Sequence, residues 1–169
     1  MDFGKKFEQL RKLVGNTPLI KINYKYKGEN RHAYIKAEWY NLSGSIKDRV
    51  AYYILKNAYE TGLIDEKTPI CEVTSGNMGI SFAAISRYLG NPITICIPKF
   101  MSEERFKLLR LYGAHLELTD DFESAFKKAE EYKKRSSVRL RKTAKTVFRF
   151  FFSGLSVRRS GTPEPTSPI

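Results

Sequence analysis

Lys47 lies in a short stretch whose residue types suit nucleophilic chemistry, Asn41-Leu42-Ser43-Gly44-Ser45-Ile46-Lys47-Asp48-Arg49. A Gly/Ser turn precedes the lysine, and the residues that follow it have helical spacing. The positive end of a helix dipole disfavours a charged ammonium, so Lys47 is a candidate for a neutral, nucleophilic amine. A lysine that forms a Schiff base needs that property. Taken alone, the stretch favours the plainer interpretation of a surface lysine on a first helical turn.

A second polar loop, Thr74-Ser75-Gly76-Asn77-Met78-Gly79, follows the apolar run around Cys71 and leads directly into a helix. Its hydroxyls, its amide and the backbone N–H groups of a helix N-terminus form a good cradle for a carboxylate or phosphate. The loop is neither GxGxxG nor GxxxxGK[ST], so the dinucleotide and P-loop signatures are missing from it. On its own, a polar strand-to-helix turn explains the loop about equally well.

Strand and helix signals alternate from residue 17 to about 132, and this alternation must position both loops. Strands are predicted over 19–24, 33–38, 69–73, 93–97 and 115–119, with a turn over 25–31. Helices are predicted over about 48–60, 79–89, 103–112 and 121–134. Such an order implies βαβ units and a parallel sheet, which places loop residues at one edge of the sheet.

The net charge of +12 invites a nucleic-acid or membrane function, but its distribution argues against both. Residues 133–169 hold ten basic residues and one acidic residue, so +9 of the charge belongs to the C-terminal tail. Cys71 and Cys96 are predicted to be buried free thiols, and the isolated His32 and His115 give little support to a metal site. The first residues lack the apolar core of a signal peptide, and no run reaches the ~18 apolar residues of a membrane span. We therefore predict a cytoplasmic protein.

Together the two loops resemble the fold type II pyridoxal-phosphate (PLP) enzymes, in the cysteine synthase (O-acetylserine sulfhydrylase) and cystathionine β-synthase branch. The resemblance covers residues 14–134, and its motifs occur in the order of the family. The matching segments are Gly15-Asn16-Thr17-Pro18-Leu19 with "GNTPL", Asn41 to Arg49 with "NPxGSxKDR", Thr74 to Ile80 with "TSGNTGI", and Pro98 to Arg105 followed by Tyr112-Gly113-Ala114 with "PxxMSxER…YGA".

The resemblance implies an α/β fold, a three-layer parallel sheet with flanking helices, in truncated form. Residues 1–42 would be the N-terminal portion of a large domain, and 43–134 a small domain that carries the PLP lysine and the substrate loop. Lys47 would be the catalytic and cofactor-binding lysine, and Asn77 would hydrogen-bond the ring oxygen of pyridoxal 5′-phosphate. The substrate carboxylate would be held by the loop Thr74, Ser75, Gly76, Asn77 and Met78.

The implied reaction is a PLP-dependent β-replacement on an activated serine, which makes cysteine from O-acetylserine and sulfide. A cystathionine β-synthase, a cysteine lyase that releases sulfide, and an inactive truncated remnant remain alternatives. The implied partners are an amino-acid substrate, sulfide or a thiol, and a second copy in a homodimer that a truncated chain could lose.

Three departures from the family pattern bear on this prediction. Leu42 replaces the proline of the lysine motif, and Met78 replaces a threonine that helps to hold the substrate carboxylate. A thioether is a poor acceptor and cannot donate, so substrate preference could differ. The Gly/Thr-rich phosphate-binding loop and the serine beside the pyridine nitrogen belong to the C-terminal half of the family and do not occur here.

Residues 135–169 do not continue the family pattern, and they change in composition to basic and Pro/Ser-rich sequence. One hypothesis is a basic, aromatic arm for nucleic acid or membranes. The favoured hypothesis is a disordered segment, or unrelated residues introduced by a frameshift, a truncated gene or a fusion.

Overall fold

The computed structural model describes residues 2–74 and 76–135, which form helices and strands in alternation. A short 3-10 turn, Glu38–Tyr40, precedes the lysine stretch. The elements in chain order are α1 (Phe3–Leu13), β1 (Leu19–Tyr26), β2 (Glu29–Lys36), α2 (Lys47–Glu60), β3 (Ile70–Val73), α3 (Asn77–Leu89), β4 (Ile93–Pro98), α4 (Glu103–Leu111), β5 (His115–Thr119) and α5 (Phe122–Arg135).

The central layer is a parallel sheet in the order β3-β4-β5. Its middle strand β4 is buried on both faces, which explains its continuous apolar sequence. Cys96 packs with Ala125 and Ala129 of α5 on one face. Ile95 points to the opposite face, where α3 packs. The predicted three-layer α/β arrangement with flanking helices is therefore confirmed.

Helix α1 was not predicted from the sequence, and it packs against α2 and α3. Phe7 is buried, with its ring centroid 5.7 Å from that of Tyr52 and 5.5 Å from that of Tyr59. The Asp2 carboxylate accepts the Gly4 N–H at 2.9 Å and caps the helix. Helix α1 belongs to residues 1–42 but packs against helices of residues 43–134. The predicted domain boundary at residue 42 stays a prediction.

Strands β1 and β2 form an antiparallel hairpin outside the parallel sheet. Lys27 and Gly28 form its turn, both with positive φ (50° and 81°), the backbone of a tight two-residue hairpin turn. The predicted turn over 25–31 was too long, because polar, exposed strand residues resemble loop residues in sequence. The predicted strand over 33–38 was also wrong at its end, since β2 stops at Lys36 and Glu38 begins the 3-10 turn.

The remaining predicted elements agree with the structure to within a few residues. Gly90 ends α3 in the left-handed conformation (φ 99°), and Asp121 accepts the Ser124 N–H at 2.7 Å at the start of α5. Among the described residues, no helix has the length and apolar character needed to cross a membrane. The predicted tail from residue 136 onward lies outside the described residues.

Candidate active site

Lys47 is the first residue of α2, and its side chain is exposed. Its backbone N–H donates to Ser45 Oγ at 3.2 Å. Lys47 Nζ makes no hydrogen bond or ion pair with any residue in the described ranges. The amine is therefore uncommitted and free to react with a ligand.

The turn before Lys47 is closed by its neighbour Asp48, whose side chain is fully buried. The Asp48 carboxylate accepts the Ser43 N–H at 2.6 Å, and it also accepts the Ser43 hydroxyl. Ser43 Oγ lies in turn 3.2 Å from Ser81 Oγ, a buried residue on α3. The lysine turn is thus folded onto the start of α2 and tied to α3.

Glu38 joins the lysine stretch to the Gly15–Leu19 motif. Its Oε2 accepts from Arg49 Nε and Asn41 Nδ2, each at 2.8 Å, and its Oε1 accepts the Thr17 hydroxyl at 2.8 Å. Asn41 Oδ1 accepts the Gly15 N–H at 2.7 Å. The hydrogen bond from Arg49 is the main reason why the pKa of Glu38 falls to about 2. Two motifs that are distant in sequence therefore form one hydrogen-bonded unit.

Glu38 is not among the site residues predicted from the sequence, although two signals point to it. The predicted strand over 33–38 includes Glu38 without giving its carboxylate a role, and the Asn41–Arg49 stretch leaves Arg49 without an acidic partner apart from its neighbour Asp48. A buried or half-buried arginine in a motif requires such a partner, which a search upstream could have supplied.

The predicted substrate loop leaves β3 at Thr74 and enters α3 at Asn77. Thr74 Oγ1 accepts the Gly76 N–H at 3.3 Å. A Cβ at Gly79 would lie 2.2 Å from Thr74 Cγ2, so a glycine is needed where α3 meets the strand end. Apart from its chain neighbours, no described residue has an atom within 4 Å of the position that a Cβ at Gly76 would take.

The described side chains of the substrate loop form fewer hydrogen bonds than those of the lysine turn. Asn77 is exposed, and its amide makes no hydrogen bond within the described part of the chain. Met78 is half-buried, and Ser75 lies outside the described residues. Asn77 and Lys47 are thus the first residues of two helices that pack on each other.

A pair of thiols and one glutamate lie on strands β3 and β4 of the parallel sheet. Cys71 and Cys96 are free thiols with their Sγ atoms 3.8 Å apart, and Cys71 is only partly buried. Burial raises the pKa of Glu72, on β3, to about 8. Within residues 2–74 and 76–135, no three His, Cys, Asp or Glu residues are placed to hold a metal ion.

Several known proteins are similar to this chain over most of its length. The family described as pyridoxal-phosphate dependent enzyme matches residues 10–146. A cysteine synthase of Aquifex aeolicus is 39% identical over 124 residues, which are 72% of this chain and 38% of that protein. Cysteine synthase B of Campylobacter jejuni is 43% identical over 115 residues, 68% of this chain and 37% of that protein. The chain spans about two fifths of the length of the curated relatives it matches.

Two solved structures are similar to this chain in both fold and sequence. A hydrogen sulfide-producing enzyme from Fusobacterium nucleatum superposes with a TM-score of 0.72 at 46% identity, covering 78% of this chain and 40% of that chain. A cysteine synthase from Entamoeba histolytica superposes with a TM-score of 0.67 at 28% identity, covering 76% of this chain and 40% of that chain.

Proposed function

Because this chain belongs to the family of pyridoxal-phosphate dependent enzymes, we propose that Lys47 binds the cofactor and that the protein catalyses a reaction at the β-carbon of an amino acid. One observation carries the proposal. The uncommitted Lys47 amine lies at the start of a helix whose preceding turn is tied to α3, the helix that begins at Asn77.

The residues present fit the aldehyde end of PLP and the carboxylate of an amino acid. An amine without a partner can condense with an aldehyde, and the free Asn77 amide can donate to a ring oxygen. The described residues leave room at the Cβ position of Gly76, where a ligand could approach the loop. The phosphate of PLP needs further donors, which the resemblance assigns to the C-terminal half of the family.

When bound, PLP supplies an electron sink for a negative charge that develops at the substrate Cα. The Thr74 to Met78 loop would hold the substrate carboxylate with its hydroxyls and backbone N–H groups. The Lys47 amine would act as the base that accepts the α-proton of the substrate. By fixing the carboxylate, the loop would let the Cα–H bond face Lys47, so the loop would contribute by orientation.

The first candidate activity is the synthesis of cysteine from O-acetylserine and sulfide. The relatives from Aquifex aeolicus and Campylobacter jejuni support it, because they are cysteine synthases at 39% and 43% identity. The second candidate is the release of sulfide from cysteine. It is favoured by the 46% identity to the sulfide-producing enzyme, compared with 28% to the cysteine synthase from Entamoeba histolytica.

The two candidates can be separated by assaying this chain, supplied with PLP, on O-acetylserine with sulfide and on cysteine alone. We expect cysteine formation to be the faster reaction. It should fall to background in Lys47→Ala and persist in Lys56→Ala, a lysine at the other end of α2 whose amine pairs with Glu60. Faster release of sulfide from cysteine would establish the second candidate. A chain that binds PLP but catalyses neither reaction would overturn both.

A further inference from the structure

We infer that Ser81, Ser43 and Asp48 form a positioning link that sets the place of Lys47 relative to the substrate loop. The inference rests on the proposed function, since it assigns a role to residues that touch neither cofactor nor substrate. We call these three residues the serine–aspartate link.

The direction of the hydrogen bonds follows from the donor and acceptor groups. A carboxylate only accepts, so the Ser43 N–H and hydroxyl both donate to Asp48. The Ser43 hydroxyl proton is then used, and Ser43 Oγ must accept from the Ser81 hydroxyl across the 3.2 Å contact. The link therefore runs in one direction, from α3 through the turn to α2.

Each end of the link lies close in sequence to a residue of the candidate site. Asp48 is the residue after Lys47, and Ser81 follows Asn77 by four positions on α3. Residues four apart lie on the same face of a helix, so Ser81 lies on the same face of α3 as Asn77, one turn toward the C-terminus. The link thus joins the neighbour of the candidate cofactor lysine to the helical face that carries the candidate cofactor amide.

The burial of Asp48 and Ser81 indicates that the link fixes the conformation of the lysine turn. Asp48 and Ser81 are both fully buried, and Asp48 forms no ion pair with a described cation. A buried carboxylate without a cation is costly, whereas an apolar side chain of similar size would pack at no such cost. A buried hydrogen bond is also directional, so it fixes the turn in a way that apolar contacts do not.

The link can be tested without cofactor, by hydrogen exchange at the backbone amides of the lysine turn. Loss of one hydrogen bond to a charged group should speed exchange at Ser43 about tenfold in Asp48→Asn. Exchange should rise about fivefold in Ser81→Ala. Ser86→Ala is a matched control, because Ser86 is equally buried on α3 and its Oγ has no partner among the described residues. It should leave exchange in the turn unchanged.

A second readout shows whether the link positions Lys47. The yield of PLP attached to Lys47, trapped by borohydride reduction, should fall in Ser81→Ala and Ser43→Ala. It should return to the wild-type yield in Ser43→Thr, which keeps the hydroxyl, and should be unchanged in Ser86→Ala. Equal effects of Ser81→Ala and Ser86→Ala, or faster exchange with an unchanged yield, would overturn the inference. If the wild-type chain captures no PLP, the proposed function fails, and the exchange measurement alone decides whether the link exists.

Discussion

Two glutamates beside the candidate loops have pKa values that shift in opposite directions. Glu38, beside the lysine turn, has a pKa of about 2, mainly because Arg49 donates to its carboxylate. Glu72, two residues before Thr74, has a pKa of about 8 because it is buried without an ion pair or hydrogen bond to another described residue. The sequence shows both residues as ordinary acids, since the shifts depend on neighbours brought near by folding.

The buried Glu72 predicts an unusual dependence of stability on pH. Folded Glu72 keeps its proton up to about pH 8, whereas an unfolded glutamate loses it near pH 4.5. The folded state therefore binds more protons between these values, so the free energy of unfolding should fall as pH rises. The slope contributed by this one proton is up to about 1.4 kcal/mol per pH unit.

Urea unfolding at a series of pH values measures this slope. Glu72→Gln should remove it and make the variant more stable than the wild type at the alkaline end of the range. Glu117→Gln is the control, because Glu117 lies on β5 and its pKa is lowered instead. An unchanged slope in Glu72→Gln would show that Glu72 titrates normally in the folded chain.

At the scale of elements, the parallel sheet and its helices were predictable because their sequences repeat with a clear period. β4 is a continuous apolar run, and α3 and α5 begin or end at recognisable caps. The hairpin limits were not predictable, since β1 and β2 are mostly exposed and their strand character comes from pairing. The Glu38 network was also missed, because it depends on contacts between side chains from separate segments.

The junction between β3 and α3 depends on the absence of a side chain at Gly79. An alanine there would place its Cβ 2.2 Å from Thr74 Cγ2 and force Thr74 out of its position. We expect Gly79→Ala to lower the free energy of unfolding by about 1 kcal/mol, despite its higher helix propensity. Thr74 would then no longer accept from Gly76, so the substrate loop should also change.

A double-mutant cycle isolates this contact. In the Thr74→Ser background the methyl group is gone, so Gly79→Ala should cost nothing, or stabilise by about 0.5 kcal/mol through helix propensity. Chemical denaturation of the four proteins measures the coupling. Equal effects of Gly79→Ala in both backgrounds would contradict the role given to the Thr74 methyl.

At the scale of the molecule, the described residues form the α/β core expected of a fold type II PLP enzyme, together with an exposed hairpin. One face of that hairpin carries Ile20, Ile22, Tyr24 and Tyr26, all exposed. An exposed apolar sheet face of this kind is typical of a surface that packs against another protein segment. The candidate site lies at the starts of α2 and α3.

We propose Lys47 as the lysine that binds the cofactor. The most direct measurement is to incubate the chain with PLP, reduce it with borohydride, and map the modified lysine by peptide mass spectrometry. We expect one pyridoxyl group per chain, on Lys47, absent from Lys47→Ala and retained in Lys56→Ala. Modification spread over the exposed lysines, with no preference for Lys47, would contradict it.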